Sequence, residues 1–100
     1  MDSLIQRVIS WAQERNLIEG STPKAQLLKT LEELGELAKA INKDDLAGVI
    51  DGVGDVLVTL IILCAQKGLT VQQCLSAAYE EIKDRRGRMV DGVFIKEADL

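Results

Sequence analysis

Histidine is absent from the 100 residues of this chain. That removes imidazole from every role it usually fills: general base, zinc ligand, activator of a serine or cysteine nucleophile. The two cysteines, Cys64 and Cys74, show no CxxC or other ligand-like spacing, and each sits inside an apolar helical pattern. Both are expected to be buried small hydrophobes in a reducing compartment, without a disulfide. There is no sustained basic run and the net charge is -4, so nucleic acid is not an expected partner. Nor is there a continuous apolar stretch near the N-terminus, because Gln6, Arg7, Gln13 and Glu14 interrupt it. The expectation is a chain without an export signal, located in the cytoplasm. Repeats, low-complexity segments and internal linkers are missing as well. Whatever chemistry the chain performs must run on carboxylates, amines and hydroxyls.

What is present is apolar patterning. Hydrophobic residues make up 47% of the chain, enough for one domain spanning residues 1–100 with a core that needs no staples. Residues 3–16 read as a first helix with Leu4, Val8, Trp11 and Arg15 on one face, ended by the glycine of "NLIEG". A second helix restarts at "STPKAQ", with Ser21 or Thr22 as N-cap and Pro23 in the first turn, where its missing N–H does no harm. Its Leu27, Leu31, Leu34, Ala38 and Ile41 recur at spacings of four and three and are expected to face the core. "NKDD" breaks it. A third helix, from about Asp45 to Lys67, is closed by Gly68; Thr70 and Gln73 then fit a capping box for a fourth, whose stripe is Val71, Leu75, Ala78 and Ile82. "RRG" stops that helix, and "RMVDGVFI" places β-branched and apolar residues around Asp91-Gly92, a hairpin or an extended arm. The expected fold is all-α, a four-helix bundle with a short C-terminal extended arm or hairpin.

The stretch "KTLEELGELAKAI" sets Glu32, Glu33 and Glu36 into the leucine-rich second helix. At about 100° per residue, Glu36 lies opposite the leucine stripe, with Glu32 and Glu33 on either side within roughly 60°. On that helix alone the acids fit a solvated face equally well, with Lys29 placed to pair with Glu32 and Glu33. The third helix shifts the balance. From Val53 to Ala65 it reads "VGDVLVTLIILCA", apolar all round, so it is buried on every side or covered by a second copy; as an apolar run it is too short for a membrane span. Asp55 lies within it, and Asp51 one turn earlier on the same face. A carboxylate in such a helix is expensive unless paired, protonated or bound to metal. If the second and third helices pack antiparallel across their short loop, the Glu32, Glu33 and Glu36 face meets the Asp51 and Asp55 face. Such a set repels itself at neutral pH unless a hard divalent cation sits among it. Mg2+ fits, because it takes oxygen ligands, keeps waters and bridges carboxylates to phosphates. Gly35, Gly52 and Gly54 allow close approach of a backbone or a ligand near the acids, with tight helix packing the competing role for Gly35.

"EELGE" followed by "DGVGD" resembles the EExxE…ExxD signature of the MazG-like, all-α nucleoside triphosphate pyrophosphohydrolases. The similarity extends to "WAQERNLIEGSTPKAQ" before it and "AYEEIKDRRGRMVDGVFIKEADL" after it, and is greatest to the short, single-domain members. The resemblance implies a helical bundle that assembles as a homodimer or homotetramer and binds Mg2+, with Mn2+ a possible substitute. It implies cleavage of an NTP or dNTP to the monophosphate and pyrophosphate, a housecleaning role for the nucleotide pool. By position, Glu33 and Glu36 match metal ligands, Asp55 matches the closing aspartate, and Glu32 matches a residue that holds a second metal or orients water. The Glu of ExxD falls at Gly52, which has no side chain; Asp51, one turn before Asp55, is the candidate to replace it.

A triphosphate also needs cations. Tyr79, Lys83 and Arg86 on the fourth helix fall within about 60° of one another, a compact donor set for phosphate oxygens. The alternative is a surface in which Lys83 and Arg86 pair with Glu80 and Asp84, and Lys29 has the same two readings. Trp11, with Arg15 one turn on, either stacks a base or packs in the core. Water attack would be assisted by Glu32 or Glu36. Two rival classes remain at this stage: a non-catalytic helical dimerisation module, and a nucleotide or metal sensor without turnover.

Overall fold

The computed structural model describes residues 2–100. Helix α1 runs Asp2–Glu14, α2 Pro23–Asn42, α3 Leu46–Gln66 and α4 Val71–Ile82; an antiparallel hairpin of β1 (Gly87–Val90) and β2 (Val93–Lys96) follows, then a 3-10 turn at Glu97–Asp99. The expected all-α bundle with its C-terminal hairpin is what forms. Thr22 caps α2 by accepting from the Ala25 N–H at 3.1 Å, with Pro23 opening the helix. Asp45 caps α3 through the Gly48 N–H at 3.1 Å, and the Thr70/Gln73 capping box opens α4. Three helices end alike. Asn16, Asp44 and Gly68 take left-handed backbone conformations, and the N–H of the next residue donates five residues back, to the carbonyls of Ala12, Ala40 and Cys64. Asn16 therefore stops α1 earlier than the glycine of "NLIEG" suggested. Asp91 and Gly92 both have positive φ, 50° and 81°, as a two-residue hairpin turn requires.

The α2 and α3 helices form the largest contact, and they run antiparallel: Thr30 meets Thr59, Leu37 meets Gly52 and Ala40 meets Gly48. A Cβ on Gly52 would stand 3.1 Å from Leu37 Cβ and 3.2 Å from Leu37 Cα, so this glycine exists for helix packing. Gly35 and Gly54 meet nothing within 4 Å, and close packing within the chain explains neither. The hydroxyls of Thr30 and Thr59 are buried and 2.8 Å apart, and each also lies within reach of a carbonyl in its own helix. Helix α1 lies on α3 through Ile5 and Ala12, and Gln66 of α3 donates to the carbonyls of Leu17 and Ile18 at 3.3 Å.

The leucine stripe of α2 is not core. Leu27, Leu31, Leu34, Ala38 and Ile41 are exposed, and the face that meets α3 is Gln26, Thr30, Glu33, Leu37 and Ala40. Small residues on α3 draw the small and polar face of α2 inward and leave the leucines outside. The α4 stripe fails in the same way: Val71 is half-buried, while Leu75, Ala78 and Ile82 are exposed. On α3 itself Leu46, Ile50, Val53, Leu57 and Leu60 are exposed, so its apolar circumference is only half covered. The radius of gyration is 16.2 Å, against about 13 Å for a compact chain of this length.

Cys64 is buried but Cys74 is exposed, contrary to the expectation that both would be interior; the thiols are free, with Sγ atoms 3.9 Å apart. Burial first, and then Cys74, push the Cys64 thiol above its ordinary pKa. At 21 residues, α3 is long and apolar enough to cross a membrane by length and composition alone, so the shortness of its central run does not exclude a span. Asp51 and Asp55, which would be costly in hydrocarbon, weigh against one.

The Gly52 contact gives a stability prediction. Gly52→Val should lower the unfolding free energy by about 1–3 kcal/mol through overpacking against the Leu37 backbone, read as a shifted urea midpoint with unchanged slope.

Candidate functional site

The antiparallel register opens a cleft of about 270 Å³ along one edge of the α2–α3 pair. Its floor is Ala40, Gly48 and Gly52. Glu33 and Glu36 stand on the α2 wall, Asp51 and Asp55 on the α3 wall, and Lys39, Lys43 and Asp45 close the loop end. Asp51 and Asp55 are one turn apart, which puts both carboxylates on the cleft side of α3. The Cβ of a glutamate at Gly52 would meet Leu37 at 3.1–3.2 Å, so rebuilding the ExxD spacing there requires α2 to give by a few tenths of an ångström.

Glu32 and Glu33 part company. The Glu33 side chain is 15% exposed and lines the cleft; the Glu32 side chain is 65% exposed and does not. Lys29 bridges the two at 3.5 Å each, and Glu32 first, then Glu33, hold its ammonium above the ordinary pKa. Among the described residues, Glu36, Asp51 and Asp55 have no ion pair. Also among the described residues, no three acidic or cysteine side chains come close enough to chelate an ion as they stand. Exposed carboxylates on helix faces have the rotamer freedom to turn toward one.

A second, mostly apolar groove of about 460 Å³ adjoins the first: Leu4, Arg7, Val8 and Trp11 of α1 face Val58 and Asp55 of α3. Asp55 belongs to both. Trp11 is partly exposed, with the Arg15 guanidinium 4.6 Å from its ring centroid, and it also borders a groove shared with Lys29. It is therefore a surface ring beside the acids and not a core residue. Tyr79, Lys83 and Arg86 do not line the acidic cleft. Tyr79 is exposed, Lys83 is paired with Glu80 at 2.7 Å, and Arg86 lies beyond the end of α4, its carbonyl accepting from Glu97 N–H.

Three cations at these grooves escaped the sequence reading. Arg7 precedes Trp11 by one turn, and Lys39 and Lys43 follow Glu36 at helical spacing. The signal was the i, i+3, i+7 series of Glu36, Lys39 and Lys43, legible once that edge of α2 is known to face a cleft.

A sequence model of the MazG nucleotide pyrophosphohydrolase domain matches residues 21–90. The match takes in α2, α3, α4 and β1, and with them all five acids, and leaves α1 outside. An "uncharacterized 18.2 kDa protein in rep-hol intergenic region" of Haemophilus phage HP1 (strain HP1c1) is 39% identical over 66 residues, which cover 66% of this chain and 40% of that protein. The chain thus corresponds to less than half of that relative's length. No solved structure matches. With the domain match spanning the two helices that build the acidic cleft, the chain belongs to the MazG nucleotide pyrophosphohydrolase domain family.

Proposed function

We propose that the chain hydrolyses a nucleoside or deoxynucleoside triphosphate to the monophosphate and pyrophosphate, with Mg2+, or Mn2+ in its place, held by Glu33, Glu36, Asp51 and Asp55. The observation that carries this reading is the placement of these four carboxylates on the walls of one cleft in a nucleotide pyrophosphohydrolase domain. The donor set suits a hard cation. All four are oxygen ligands, and among the described residues only Glu33 has a protein counter-charge. When bound, the ion supplies charge neutralisation for the triphosphate and acidifies water.

The chain's own groups do the rest. Glu36, unpaired and on the open cleft, accepts the proton of the attacking water; Glu32, the other candidate base, is turned outward against Lys29. Trp11 offers a ring face to the base in the groove beside Asp55, with Arg15 alongside it. Lys29 exchanges its Glu33 contact for phosphate. Tyr79, Lys83 and Arg86, which do not line the cleft of their own chain, are assigned to the triphosphate of a second copy.

That second copy is part of the proposal. The accessible surface is 7625 Å², about 2000 Å² more than a compact monomer of this mass presents. The exposed surface includes the leucine edge of α2 and the bare face of α3, together with the α4 stripe and the hairpin. A standard interface removes only about 800 Å² from each partner, and an obligate one roughly 1000–2500 Å² from each, so covering this surface calls for an extensive, obligate interface. We infer a homodimer or homotetramer in the cytoplasm.

A pyrophosphate-release assay over NTPs and dNTPs tests the function: turnover with Mg2+ and none in excess chelator is the expected result, and turnover that persists in chelator refutes it. Asp51→Asn should raise the Mg2+ concentration for half-maximal activity severalfold, whereas a residue serving only the start of α3 would change stability by about 1 kcal/mol or less and leave the titration alone. Light scattering at micromolar concentration should find no monomer; a stable monomer there ends the assembly proposal.

A further inference from the structure

Asp55 lines both the Trp11 groove and the acidic cleft, and that sharing gives the site a direction. From Trp11 and Arg7 one passes Asp55 and Glu33, then Asp51 and Glu36, and reaches Lys39 and Lys43 where α2 turns into α3. The acids occupy the middle and the lysines the far end. We propose that Lys39 and Lys43 form the subsite for the terminal two phosphates of the substrate, and so for the pyrophosphate product. The proposal rests on the nucleotide-hydrolysing reading of the cleft.

Three observations carry it. Neither lysine has an ion-pair partner among the described residues, although acids line the same cavity, so both ammonium groups are available. Of the two acids in the turn beside them, Asp44 does not line the cavity, and Asp45, which does, is engaged as the N-cap of α3 through Gly48 N–H at 3.1 Å. Lys39 and Lys43 lie about 5 and 11 Å beyond Glu36 along the helix axis, and flexible point charges at those steps can follow successive phosphates. A nucleotide whose base lies at Trp11 and whose reacting phosphate lies among the acids must extend its remaining phosphates toward this end. The assignment also places the phosphate cations of one chain on α2, where sequence reading looked to α4.

If the lysines only balance the acids, their removal changes metal affinity and nothing else. Titration calorimetry of inorganic pyrophosphate into the full chain in Mg2+ separates the two roles, with wild type compared with Lys39→Gln, Lys43→Gln and the double variant. Both residues are exposed, so the fold should survive. Wild type should bind saturably, and each single variant should bind about tenfold more weakly. Affinity for Mg2+ alone should stay the same or tighten, affinity for a nucleoside monophosphate should not change, and Lys39→Arg should restore pyrophosphate binding. The proposal is overturned if wild type does not bind pyrophosphate, if the double variant binds it as tightly as wild type, or if its loss merely tracks an equal loss of Mg2+ or monophosphate. Failure of the enzymatic reading shows elsewhere, as absence of pyrophosphate release from every triphosphate, and the titration still reads the lysines.

Discussion

Where Gly52 meets Leu37, helix α3 presents no side chain and α2 lies directly against its backbone. This close approach fixes the register of the pair. Two turns away Thr30 and Thr59 meet at 2.8 Å, buried. The three short contacts there, to each other and to the carbonyls of Gln26 and Val56, share two hydroxyl protons, so one hydroxyl donates across the helix pair while the other accepts and donates to the carbonyl of its own helix. A slip of one residue along α3 would bring a Cβ into Leu37 and separate the threonines. The same slip would rotate Asp51 and Asp55 by about 100° away from Glu33 and Glu36. The acidic cleft is thus a by-product of how two small-residue faces seat on each other.

Much of the fold was legible because it is written locally. Thr22-Pro23, Asp45, Thr70 with Gln73, Gly68 and Asp91-Gly92 each carry stop or start chemistry that works within a few residues of chain, and the structure uses all of them. The inner face of α2 was not legible. Periodicity selects the most apolar stripe, and on α2 that stripe is Leu27, Leu31, Leu34, Ala38 and Ile41. The face used within the chain contains Gln26, Thr30 and Glu33, which no hydrophobicity argument would choose. Periodicity reports that a face is to be covered; it does not say whether the cover is the same chain.

At the site, the carboxylate set was legible because an aspartate in an apolar helix calls for an explanation, and the antiparallel hairpin followed from a short loop. The cations were legible in part. Trp11 and Arg15 do lie beside the acids, whereas Tyr79, Lys83 and Arg86 share a helical face with one another but not a cleft with Glu33. Angular grouping on one helix is a local property. Which cavity that group faces depends on how the helix packs, and α4 packs against little of its own chain.

The second helix divides its circumference three ways, and this explains why "KTLEELGELAKAI" is ambiguous as a sequence. One strip, Thr30, Glu33, Leu37 and Ala40, seats on α3. To one side lies the cleft edge, with Glu36, Lys39 and Lys43; to the other lies the leucine edge. Two unfavourable features therefore sit on opposite flanks of one helix: like charges across the cleft and apolar surface in water. Under the proposed function each is relieved by a different visitor, the carboxylates by a cation and its phosphates, the leucines by a second copy. Because the flanks are separate, neither visitor blocks the other. Because both flanks belong to one rigid helix, a copy that holds the leucine edge also holds the Glu33 and Glu36 wall in place against α3, so assembly would steady the acidic wall as well as bring Tyr79, Lys83 and Arg86 to the triphosphate.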